Sequence, residues 1–233
     1  FRKECPEGDD ACILNQELMY HMVIHLRDDL RSAVRPLGPG GRTEWLANDE
    51  IDAIMYPYMK LYSDFCYLGT NASNCHTYPR CVFHNFDYEH YIKKGCKFFG
   101  AIFNLDRVGQ SGSHWTSFFV SLPKNKMYYC DSTGRQPNRY IRDFIEETQK
   151  KLRKITGNKC ELIVNTKAYQ NDGSECGVYS CNFIIRMLSQ KESFEQIIDN
   201  YLDFSQINSC RQEYFRNVQP TRPSDSRCLV RRD

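Results

Sequence analysis

Long apolar runs are missing from this sequence of 233 residues. No stretch approaches the roughly 18 apolar residues of a membrane span, so nothing in it reads as a bilayer segment. A charge excess is missing too. Thirty-one basic residues face 29 acidic ones, for a net charge of +2. That balance argues against nucleic acid as the main partner, although a local basic patch is compatible with it. No internal repeat is visible, which excludes solenoids and propellers. The opening FRKECPEGDD has neither an initiator Met nor a signal-like apolar region, which fits a trimmed N-terminus and leaves a removed leader open. Paired C-x2-C spacing is absent despite 12 cysteines, so the commonest zinc signature is not there.

What is present is enough for a substantial core. Hydrophobic residues make up 41% and aromatics 13%, which is a folding composition rather than a disordered one. A chain this large does not need disulfides to fold, and Cys130, Cys160 and Cys181 sit in apolar contexts that suit reduced core thiols. A reducing compartment is the favoured reading. In an oxidising one, Cys5 could pair with Cys12, or Cys210 with Cys228.

Residues 10–35 carry apolar side chains at helical spacing and end at PLGPGG. A second helix is expected over 45–62, with Asn48 or Asp49 as N-cap and Pro57 as a kink or near-terminal residue. Residues 66–96 are irregular and rich in Cys, His and Tyr. Strands are expected at 97–106, 113–122 and 126–132, with PKNK as the hairpin turn, and another at 160–169. Residues 139–155 form an amphipathic helix whose Lys and Arg residues are a solvated face. Helix is expected again from 177 to 190 and from 193 to 217, and the Pro-, Ser- and Arg-rich tail is expected to be loose. The order predicts one α+β unit: an N-terminal helical extension (1–41), a main domain (42–216) and a flexible tail (217–233).

The candidate chemistry is spread over four places. Cys176 stands between a polar loop and an apolar helix, where the free N–H groups of a helix N-terminus favour a thiolate. His114 opens an apolar strand after GQSGS and is the strongest candidate base. If the strands flanking PKNK pair, Asp131 at the end of YYC comes close to His114 and can accept its Nδ1–H. The turn DSTG supplies a plainer reading of that Asp. Gln170, six residues before Cys176, could join the cysteine's backbone N–H as an oxyanion donor. Each signal alone is weak, because most buried cysteines and lone histidines are structural.

Together, His114-Trp115, Tyr129-Cys130-Asp131-Ser132 and Gln170-x5-Cys176-Gly177 resemble the cysteine protease family of the SUMO-specific and adenovirus-type proteases. Trp45-Leu46-Ala47-Asn48-Asp49 resembles that family's Trp-Leu-Asn-Asp segment with an extra Ala. The resemblance spans about residues 42–190 as judged by motif. It implies a central mixed sheet flanked by helices in a papain-like core, with His114 as general base, Asp131 as its orienter, Gln170 as oxyanion donor and Cys176 as nucleophile. It also implies a narrow substrate groove at Trp115, Trp45 and Gly177 that admits a Gly-containing segment. No cofactor and no metal are implied.

GAIFNLDRVGQSGSHW and YYCDSTGRQPNRYIRDFI look most like the polyprotein-processing proteases of large cytoplasmic DNA viruses. The leading expectation is therefore cleavage at Gly-Gly-X sites in viral core polyproteins during virion maturation, in host cytoplasm and virion. A ubiquitin-like-protein isopeptidase is the alternative with the same chemistry. A zinc-binding interaction module is the alternative of another class, built on Cys66, Cys75, His76, Cys81, His84, His90 and Cys96. A protein substrate is the implied partner, without a membrane and with nucleic acid a weak possibility.

Overall fold

A computed structural model describes residues 35–39, 43–171, 173–218 and 223–229. The helix expected over 10–35 falls almost wholly outside them. Helix α1 (Asn48–Leu61) turns Ile51, Ile54 and Met55 inward at helical spacing. Its cap is Ala47 rather than Asn48 or Asp49. Ala47 has no side-chain acceptor, and the helix start is held from the other direction: Glu50 Oε2 accepts the Ala47 N–H at 2.7 Å. Pro57 lies inside the helix, which runs on to Leu61.

Strand β1 (Phe65–Ala72) follows. It lies in the segment read from sequence as irregular, and that reading is corrected here. Its first six residues are all buried, so it shows no alternation to detect. Next come a short 3-10 turn (Cys75–Thr77), helix α2 (Tyr88–Lys93), β2 (Phe98–Asn104), β3 (Trp115–Ser121) and β4 (Lys126–Cys130). Helix α3 (Arg139–Thr156), β5 (Glu161–Val164) and α4 (Cys176–Ser189) complete the central architecture. The helix expected over 193–217 is divided into three short ones, α5 (Phe194–Asp199), α6 (Phe204–Ser209) and α7 (Arg211–Tyr214). Ser193 and Asp203 cap α5 and α6 with their side-chain oxygens, so each cap restarts the chain.

The five strands lie in chain order. The outer pairs β1–β2 and β4–β5 are parallel, and the inner pairs are antiparallel. The sheet is therefore mixed, with an apolar core on each face. One core joins α1, α4 and the later helices; the other joins α3 and the Phe83–Tyr88 segment. Helix α4 is buried along its whole length. Val178, Ile184, Ile185 and Leu188 are inaccessible to solvent, and each such side chain contributes about 1.5–3 kcal/mol. The nucleophile candidate thus begins the most deeply embedded helix.

The tail is not loose where it is described. Cys228 is buried and bonded to Cys210. Asn182 Nδ2 donates to the Arg227 carbonyl at 2.9 Å, and Tyr214 Oη donates to the Cys228 carbonyl. Cys210–Cys228 is the pair anticipated for an oxidising setting; Cys75–Cys81 is a second disulfide, without such anticipation. Cys130, Cys160 and Cys181 are free buried thiols. Among the described residues, no helix is long and apolar enough to cross a membrane.

Candidate active site

The β3–β4 hairpin pairs Ser117 with Cys130. That register leaves His114 and Asp131 just beyond the paired ends, on adjoining strands. His114 Nε2 donates to Asp131 Oδ1 at 2.7 Å. The nitrogen differs from expectation: Nε2, not Nδ1, faces the carboxylate. The ring's other edge is thereby turned to Cys176, with which His114 also hydrogen-bonds. Burial lowers the His114 pKa, but the Asp131 and Cys176 partners outweigh it and raise the value to about 9.

Asp131 is fully buried. Burial pushes its carboxyl upward, and the bonds from His114 and Thr133 reverse that, holding it below its ordinary value. Oδ1 also accepts the Thr133 N–H and hydroxyl, both at 2.8 Å. The turn reading and the orienter reading of Asp131 therefore describe the same atom. Asn165, not singled out from sequence, clamps its backbone. Asn165 Oδ1 accepts the Asp131 N–H at 2.8 Å, and Nδ2 donates to the Asp131 carbonyl at 2.9 Å. Asn165 follows β5 and reaches β4 only through the parallel β4–β5 pairing, so no local signal marks it.

The loop before His114 is firmly tied. Asn104 Oδ1 accepts the Ser113 N–H, and Asp106 accepts from Gly112 N and Ser113 Oγ. Gly112 has φ +89°, and a Cβ there would lie 2.8 Å from Asn104 Nδ2. The turn after Asp131 is equally tight. Gly134 has φ +72°, and a Cβ would meet the backbone of Ala168 and Thr166 at 2.8 Å. This close approach brings in the Gln170 loop. The Ser132 carbonyl accepts the N–H groups of Tyr169 and Gln170, and Ser132 Oγ donates to Gln170 Oε1 at 2.5 Å. That bond ties the Gln170 amide to the turn after Asp131.

Cys176 is buried and is the first residue of α4. The N–H groups of the first turn have no acceptor within the helix. Gly177 packs that turn tightly: a Cβ would lie 3.1 Å from Leu46 Cβ and 3.2 Å from Trp115 Cδ1. Trp115 is buried, and its indole N–H donates to the Leu46 carbonyl at 2.9 Å. Trp115 and Gly177 are therefore packed against Leu46 rather than open to solvent, because Leu46 fills the space between them. Trp45, the adjoining residue, is half exposed. A cavity of about 110 Å³ lies next to the site, lined in part by Gln170, Glu175, Tyr201 and Phe204.

The Cys/His-rich segment holds no metal-ligand set: no three His, Cys, Asp or Glu side chains gather in that way among the described residues. Cys75 and Cys81 form a disulfide, His84 Nδ1 hydrogen-bonds to the His76 carbonyl, and Cys66 and Cys96 are free buried thiols.

The chain that sets this part-buried imidazole between a carboxylate and a helix-opening thiol matches a known family. Residues 94–223 match the model of the Ulp1 protease family, C-terminal catalytic domain. The chain belongs to that family and is a cysteine protease. A thiol protease of Acanthamoeba polyphaga mimivirus is 44% identical over 223 residues, covering 95% of this chain and 73% of that protein. A relative from African swine fever virus, named as a SUMO-1 cysteine protease, is 24% identical over 220 residues, covering 83% of this chain and 76% of its own. The fold is that of the crystal structure of the African swine fever virus protease, with a TM-score of 0.70 at 20% identity over 88% of this chain and 82% of that one. It is also that of the yeast Ulp1 protease domain solved with Smt3, with a TM-score of 0.52 at 22% identity over 74% of this chain and 75% of that one.

Proposed function

We propose that Cys176 is the nucleophile of a peptidase that cleaves after glycine in an extended small-residue segment, and that its substrate is a ubiquitin-like protein of the SUMO type. The observation that carries the chemistry is His114, part-buried and bonded to both Asp131 and Cys176. The imidazolium holds the sulfur as a thiolate, which attacks the scissile carbonyl carbon. The carbonyl oxygen becomes an oxyanion, received by the Cys176 backbone N–H and the Gln170 amide. The tetrahedral intermediate collapses to a thioester as the amine leaves with a proton from His114. Neutral His114 then takes a proton from water, whose oxygen attacks the thioester and releases the sulfur. Asp131 keeps the ring oriented throughout, and Asn165 keeps Asp131 in place.

Leu46 over Gly177 and Trp115 leaves little room for substrate side chains, which suits glycine at the cleaved position. Trp45 is the exposed aromatic placed to cover an extended backbone there. The SUMO-type assignment draws on the family match and on the names of two relatives, the African swine fever virus protein and a fission-yeast NEDD8-specific protease, 27% identical over 96 residues. Cleavage of a viral polyprotein at Gly-Gly-X is the second reading. It is supported by the mimivirus relative, whose likeness spans 95% of this chain, and by the residues that lead into His114 and follow Asp131.

The two readings separate when the protein is given a SUMO–lysine isopeptide conjugate and Gly-Gly-X octapeptides in parallel. Preference for the conjugate by two orders of magnitude or more in kcat/KM, about 2.7 kcal/mol, is expected. Equal or better cleavage of the peptides would move the substrate to the second reading. Cleavage of neither would remove both.

A further inference from the structure

Arg211 opens α7 and is completely buried. A guanidinium does not give up its charge to suit a dry site. Its Nε donates to Asn208 Oδ1 at 2.9 Å, and Nη2 donates to the Ser174 carbonyl at 3.3 Å. Nη1 is buried with no acceptor among the described residues. Asn208 Nδ2 donates in turn to Glu175 Oε1 at 3.3 Å, and the Ser174 hydroxyl donates to the same oxygen. Glu175 Oε2 is also buried and without a donor among the described residues. Ser174 and Glu175 are the two residues directly before Cys176.

Two buried atoms of opposite character are thus left without hydrogen bonds at the head of the nucleophile's helix, a cost native folds rarely carry without a reason. The charges around Arg211 supply one. Burial depresses its pKa; Glu175, then Glu50, Cys176 and Glu44, oppose that. The groups facing it are therefore Glu175 and the sulfur at the start of α4, Glu50 on α1, and Glu44 in the segment before α1. His114 faces the sulfur from β3. A carboxylate next to a thiolate disfavours it, and Arg211 is a cation that interacts with both Glu175 and the sulfur.

We propose that Arg211 is a positioning residue for Cys176: it holds the Ser174–Glu175 turn that aims the thiol, and its charge offsets Glu175 beside the sulfur. This rests on the reading of Cys176 as nucleophile but not on any choice of substrate.

The test is the rate of Cys176 alkylation by iodoacetamide from pH 5 to 9, read by mass spectrometry of the Cys176 peptide. Wild type, Arg211→Met, Glu175→Gln and the double variant are compared. Arg211→Met is expected to slow alkylation at pH 7 about tenfold and move the profile to higher pH. Glu175→Gln is expected to move it to lower pH. The double variant is expected within about twofold of wild type, because removing both charges restores the balance. A merely structural Arg211 would show no such rescue. An unmoved profile in folded Arg211→Met, or in Glu175→Gln, overturns the proposal. If Arg211→Met does not fold, the shift in Glu175→Gln decides alone. Wild-type Cys176 alkylating no faster than a model peptide would instead sink the nucleophile reading, and normal alkylation without hydrolysis would sink only the substrate reading.

Discussion

His114 and Asp131 sit on neighbouring strands of one hairpin, 17 residues apart in sequence. Cys176 sits at the start of a helix whose setting is assembled from Leu46, Trp115, Ser174 and Arg211, drawn from across the chain. The first half of the site is local and held by strand register. The second is non-local and held by packing and buried charge. Local pairing places two side chains with little help from elsewhere. A buried thiol at a helix start has no such rail, and its aim depends on segments that must all fold first.

Breaking the second half at its centre has the largest expected effect. Cys176→Ala should abolish hydrolysis while leaving thermal unfolding near wild type, since it removes one buried atom and leaves the Gly177–Leu46–Trp115 packing intact. Any residual turnover above background in purified variant would break the assignment. Gln170→Ala, on the loop that joins the halves, should lower kcat by about 10²–10³-fold with little change in KM. A pure KM effect would instead make Gln170 a substrate contact.

Gly134 tests whether the join itself is tight. Gly134→Ala puts a Cβ against the backbone of residues 166–168 at positive φ. It should destabilise the fold by about 1–3 kcal/mol, measured by urea unfolding, and should also lower activity by displacing Gln170. Stability loss with unchanged activity would show that the two halves are less coupled than their bonds imply.

The hairpin half is best probed with pH. The folded His114 pKa is raised from 6.5 to about 9. Its contribution to stability is therefore full below about 6.5 and is lost as pH rises through about 9. The stability gap between wild type and His114→Ala should shrink across that window, and the alkaline limb of kcat/KM should lie near 9. Asp131→Asn should pull that limb toward neutrality. A limb that does not respond would detach Asp131 from His114. Trp45→Ala carries the smallest expected effect, a severalfold rise in KM with kcat nearly kept, because Trp45 is exposed and bonded to none of the reacting groups.

The hairpin was legible for the same reason that it is local. Alternating and apolar strands around PKNK set a register, and register brings residues 114 and 131 together whatever the rest does. The Nε2 contact was not legible, because the ring's orientation depends on where Cys176 lies. Strand β1 was hidden because burial on both faces erases alternation. The Cys/His-rich segment invites a metal reading, but the described residues put a disulfide and backbone bonds there instead. The capping role of Ala47 was invisible because the work is done by Glu50, three residues on.

Composition and periodicity were enough by themselves to determine an α+β fold, and the motifs around His114, Asp131, Gln170 and Cys176 carried the resemblance that implied a cysteine protease. Those features act over short distances or follow from side-chain chemistry. Only the tertiary structure decided which edge of the imidazole meets the sulfur, that Asn165 clamps Asp131, that Leu46 covers Gly177 and Trp115, and that Arg211 lies buried beside the turn before Cys176. Arg211 stands in a run, SCRQEYF, expected from sequence only to be helical. Its charge becomes consequential only when folding removes water from around it and brings Glu175 alongside.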